Sequence, residues 1–113
     1  MIVSSILGSS LLGAAALMAL QPDPTSAPRG AYTGCLRAFM EKSVKDKTTV
    51  EAFTAALAQQ CSAEEAAFRA AVRAREARFR TPAGEIDQII TGDLEDARDN
   101  IRQTFEMTVT PRA

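Results

Sequence analysis

The side chains best equipped for chemistry are two cysteines, Cys35 and Cys61, twenty-six positions apart in a chain without histidine. A metal centre needs several ligands gathered at short spacing, and two isolated cysteines do not supply them. A nucleophilic thiol needs a neighbouring base, most often an imidazole, and none exists here. Thr33-Gly34-Cys35 faintly matches a lipoprotein cleavage site, but Tyr32 stands where an aliphatic residue belongs. What remains is a staple. An even cysteine count in a small exported chain predicts a disulfide. The midpoint between Cys35 and Cys61 falls at residue 48, between two stretches of helical periodicity. An antiparallel hairpin closed there sets both cysteines at one height, roughly 18–20 Å from the turn at 1.5 Å per residue.

A second set of candidates is cationic. "RAAVRAREARFR" (Arg69 to Arg80) holds five arginines and one glutamate. Arg69, Arg73 and Arg80 fall on one helical face, and Arg75 on the apolar stripe between Val72 and Phe79. Such a face suits an anionic or amphipathic ligand, or an acidic partner. The competing reading is intramolecular: the segment that follows is acidic and can neutralise it. From Arg29 to Arg80 there are ten Lys/Arg and six Asp/Glu; from Thr81 onward there are three and seven. Closing an antiparallel hairpin around Pro82-Ala83 places Phe79 opposite Ile86, Phe68 opposite Ala97, Arg69 opposite Asp96, Arg78 opposite Asp87 and Arg80 opposite Glu85. Apolar and charged residues thus select the same register. The basic half could suggest nucleic acid, but an exported protein rarely meets it and the acidic half lies next to it in the chain, so no nucleic-acid partner is expected.

"GDLEDARDN" (Gly92 to Asn100) is the densest acidic stretch. It fails as a calcium loop, because Ala97 and Arg98 occupy a ligand position and the glycine position. On a helix, Asp93, Asp96 and Asn100 share a solvated face. No glycine-rich phosphate loop and no nucleophile motif is present. The chain is therefore expected to be no enzyme and to use no cofactor or metal. No motif carries a resemblance to a known family.

The elements that must position these residues are helical. Residues 1–20 contain an uncharged apolar run, Ile2 to Leu20, followed by "QPDPTSAPRG". That pattern reads as an export signal, with an uncleaved N-terminal anchor as the alternative. Residues 21–31 are expected to be a flexible proline-containing lead, 32–107 the helical domain, and 108–113 a frayed tail. Tyr32, Cys35, Leu36, Phe39, Met40 and Val44 give the first helix its apolar face. Thr48 and Glu51 form a capping box for a second helix, and Ser62 and Glu65 form another immediately after Cys61. The second box allows two helices joined at a kink at Cys61-Ser62, but with neither Gly nor Pro between Thr49 and Arg80 one long helix is the reading preferred, its stripe running through Phe53, Leu57, Phe68, Val72 and Phe79. Ile86, Ile90, Leu94, Ala97, Ile101 and Phe105 repeat at eleven residues in the last helix, which keeps one face apolar with almost no drift.

The fold class expected is all-α: a small three-helix antiparallel assembly with a long central helix (49–80), stapled by one disulfide. The first helix would cover its front half and the last helix its back half. The function expected is a non-enzymatic interaction or structural role in the bacterial periplasm or envelope, with a protein partner. Membrane contact is expected only through an uncleaved N-terminal segment. The alternative is a module for an anionic or amphipathic ligand held by Arg69, Arg73, Arg75 and Arg80.

Overall fold

A computed structural model of the chain describes residues 23–111. The expected signal or anchor at 1–20 lies outside them, as do the first residues of the lead and the last two of the tail. Among the described residues there are four helices and no strand: α1 (Ser26–Lys45), α2 (Val50–Leu57), α3 (Ser62–Arg78) and α4 (Ala83–Val109). None of the four is long and apolar enough to cross a membrane.

Helix α1 starts six residues earlier than periodicity suggested, inside the segment expected to be a flexible lead. Proline misled that reading. Pro28 sits in the first turn of α1, where the missing N–H has no intrahelical partner to lose. Ahead of it, the Asp23 carboxylate accepts from the Thr25 N–H at 2.9 Å and from the Thr25 hydroxyl at 2.8 Å. This side-chain turn organises the entry into the helix. Thr25 is fully buried.

Helix α1 ends in a left-handed residue, Lys47 (φ 56°). The Lys47 N–H donates to the Val44 carbonyl and the Thr48 N–H to the Ser43 carbonyl, the paired bonds of a Schellman cap. Thr49 then caps α2, its hydroxyl accepting from the Ala52 N–H at 3.2 Å. The cap is thus Thr49, one residue after the Thr48 that the capping-box pattern singled out.

The single helix expected over 49–80 is two. Helix α2 stops at Leu57, and α3 begins after Cys61, which is left-handed (φ 61°). No glycine or proline makes the break; Cys61 itself does, while cross-linked to Cys35 of α1 across 6.0 Å between Cα atoms. Left-handed backbone costs a non-glycine residue roughly 1–2 kcal/mol. A disulfide closing a loop of this size contributes more than that, about 3–4 kcal/mol in the chain-entropy model.

The longest element is α4, not a central helix. Both α1 and α4 run beside α2 and α3 alike, so the expected division into a front half and a back half does not hold. The core consists of Tyr32, Leu36 and Met40 of α1, Phe53 and Leu57 of α2, Phe68 and Val72 of α3, and Ile86, Ile90, Leu94, Ile101 and Phe105 of α4. Phe53 lies between two rings, 5.4 Å from Phe39 and 4.0 Å from Phe105. Tyr32 stacks on Phe68 at 6.1 Å. The cysteines meet as their positions implied, but the ring pairs on either side do not keep that register: Phe39 stacks on Phe53, one turn from the Leu57 that the same register would place opposite it. Phe79 departs from the expected stripe: it is 72% exposed at the end of α3.

Candidate functional site

The arginines of residues 69–80 do not form one free face. Arg75 turns inward, into the corner between the start of α1 and the end of α3. Its guanidinium donates to the Thr25 hydroxyl at 3.2 Å and lies 3.5 Å from the Asp23 carboxylate and 3.1 Å from that of Glu76. Glu76 in turn accepts from the Thr81 hydroxyl at 2.9 Å. The position that looked like an interruption of the apolar stripe is a polar clasp that joins the two helix ends and satisfies the buried Thr25.

Arg69 pairs with Glu65 one turn before it at 3.4 Å, and Arg73 with Asp87 of α4 at 3.4 Å. Glu65 also holds Arg98 of α4, whose Nε donates to the Tyr32 hydroxyl at 3.1 Å. Asp87 was expected opposite Arg78 and meets Arg73 instead. The displacement follows from where the turn closes. The Thr81 N–H reaches back to the Glu76 carbonyl and the Arg80 N–H to that of Ala77, with Arg80 left-handed (φ 57°). The chain therefore reverses around Arg80-Thr81 rather than Pro82-Ala83. Of the four arginines picked out by sequence, only Arg80 enters no ion pair among the described residues.

Cys35 and Cys61 form the disulfide. Together with Glu64 they are the one group among the described residues whose atoms approach metal-binding distances. With both sulfurs bonded to each other, neither is available as a thiolate ligand.

A groove of about 480 Å³ opens between α1 and α4. One lip is a polar stripe of α1, Arg29, Thr33 and Arg37, spaced four apart. The other is Asp93, Asp96 and Asn100 of α4, over a floor of Phe68, Ala97 and Ile101. Arg29 reaches the carboxylate of Asp93 at 3.8 Å and lies over the Phe68 ring, 5.4 Å from its centroid. Arg37 and Asp96 enter no ion pair among the described residues. The groove thus offers a free cation on one lip, a free anion on the other, and apolar surface below. The acidic lip is legible in sequence as a solvated face. The α1 lip is not, because the prolines around Arg29 suggest a flexible lead.

No protein-family model matches the chain, and no curated protein or solved structure matches it.

Proposed function

We propose that this is a small exported helical protein with a non-enzymatic interaction or structural role in an extracytoplasmic compartment, the bacterial periplasm or envelope. The observation that carries the reading is the Cys35–Cys61 disulfide, which ties α1 to the break between α2 and α3. Disulfides that hold a small fold together form and persist in oxidising compartments. The groove between α1 and α4 supports the interaction half. Lips of opposite charge above an apolar floor suit a polypeptide segment, which brings both charge signs and apolar side chains to one surface. An anionic-ligand module on the arginine stretch fits less well. Arg69, Arg73 and Arg75 already hold carboxylates, and an incoming anion would have to displace them.

Two measurements on cells producing the full chain test this. Alkylation before lysis should leave both cysteines unmodified until a reductant is added. A photocrosslinking residue at Thr33, in the groove, should give a discrete protein adduct. Thiols that alkylate without reductant would remove the compartment assignment. Tight heparin binding at physiological salt, lost in Arg69→Ala/Arg73→Ala with helix content unchanged, would replace the interaction role with an anionic-ligand one.

A further inference from the structure

The end of the bundle at which α3 turns into α4 is also the end at which the described chain begins. The contacts of Arg75 with Asp23 and Thr25 place them together. Upstream of Asp23, Ile2 to Leu20 contains no charged residue. Asp23, the first described residue after that stretch in the chain, is therefore at this end.

The same end displays Phe79, a large apolar ring that is 72% exposed. Arg78 and Arg80 flank it, both exposed, and neither enters an ion pair among the described residues. The nearby acids are engaged elsewhere: Asp23 and Glu76 with Arg75, and Asp87 with Arg73. Glu85 lies in the first turn of α4, where the helix dipole favours a negative charge. An exposed aromatic ring between two free guanidinium groups has the chemistry of a membrane interface. The ring sits at the boundary of the acyl chains while arginines meet lipid phosphates.

We propose that the Arg78-Phe79-Arg80 tip contacts an anionic lipid surface when the chain is held at a membrane by its N-terminal stretch. One ring and two cations are too few for stable adsorption of a free domain. A tether raises their effective concentration at the surface, and the contact follows from the tether. The bundle then stands with α4 leading away from the membrane. Met107, the other large exposed apolar side chain among the described residues, is carried about 36 Å from the start of that helix.

The chain contains no tryptophan, so a single introduced indole reports its own surroundings. Full chain carrying Phe79→Trp, reconstituted with phosphatidylglycerol–phosphatidylcholine vesicles, should show a blue-shifted emission that is quenched by brominated acyl chains. The quenching should fall in phosphatidylcholine alone, and again when Arg78→Gln/Arg80→Gln is added. Met107→Trp in the same vesicles should show neither shift nor quenching. An emission from Trp at position 79 that is unshifted and unquenched overturns the proposal, whether the chain floats with the vesicles or stays in solution. Equal quenching at positions 79 and 107 overturns it too, because the N-terminal stretch would then hold the bundle without orienting it.

Discussion

Tyr32 is buried to the point of having no exposed surface, and its hydroxyl accepts from Arg98 across the α1–α4 interface. Burial pushes the phenol above its usual range, because the phenolate loses water; the Arg98 charge opposes this and is the smaller effect. The folded pKa thus lies above the unfolded one. The stabilisation is fully present below the unfolded value and is lost as pH rises through the folded value. Tyr32 is the only tyrosine and tryptophan is absent, so tyrosinate absorbance follows this one group. It should appear at a higher pH than in free tyrosine, and together with loss of helical circular dichroism. Ionisation at the ordinary pH with helix content intact would show that the ring is not buried as described. Arg75 teaches a related lesson. Its place on the apolar stripe was readable, but its partners were not, because Thr25 and Asp23 are about fifty positions away and in a segment that its prolines made look flexible.

At the scale of elements, two of the helix ends rest on unfavourable residues. Schellman caps place one residue in left-handed backbone, the position that glycine fills at least cost. Here Lys47 and Arg80 fill it, with φ of 56° and 57°. Lys47→Gly and Arg80→Gly should each raise stability, by about 0.5–1 kcal/mol after allowing for the extra freedom glycine gives the unfolded chain. Urea midpoints measured at constant m-value check this; a loss of stability in both variants would mean that the two caps do not form. The same conformation accounts for the break at Cys61. A scan for proline and glycine does not register it, since the backbone there is held by a cross-link and by packing of both neighbouring segments against α1 and α4.

At the scale of the whole molecule, a core of twelve buried apolar side chains among the described residues leaves so short a domain little surplus stability, and the disulfide is a large part of it. Cys35→Ser/Cys61→Ser should lose about 3–4 kcal/mol in chemical denaturation, set against about 5–15 kcal/mol for domains in general. A loss below about 1 kcal/mol would mean that the α1–α2 hairpin stays ordered in the unfolded ensemble without the cross-link.

Sequence alone determined the helical class, the faces that α1, α2 and α4 turn inward, and the pairing and height of the two cysteines. Each of these depends on spacing along one helix or across one short turn, and a period of 3.6 residues is legible in any segment long enough to show it. Tertiary structure decided the rest: which of the two readings of 49–80 holds, the exposure of Phe79, the partners of the arginines, and the groove between α1 and α4. These depend on elements distant in sequence. A cap that reverses the chain at Arg80-Thr81 rather than two residues later brings Asp87 to Arg73 instead of Arg78. A charged side chain, unlike a core ring, pairs with whichever opposite charge comes within reach.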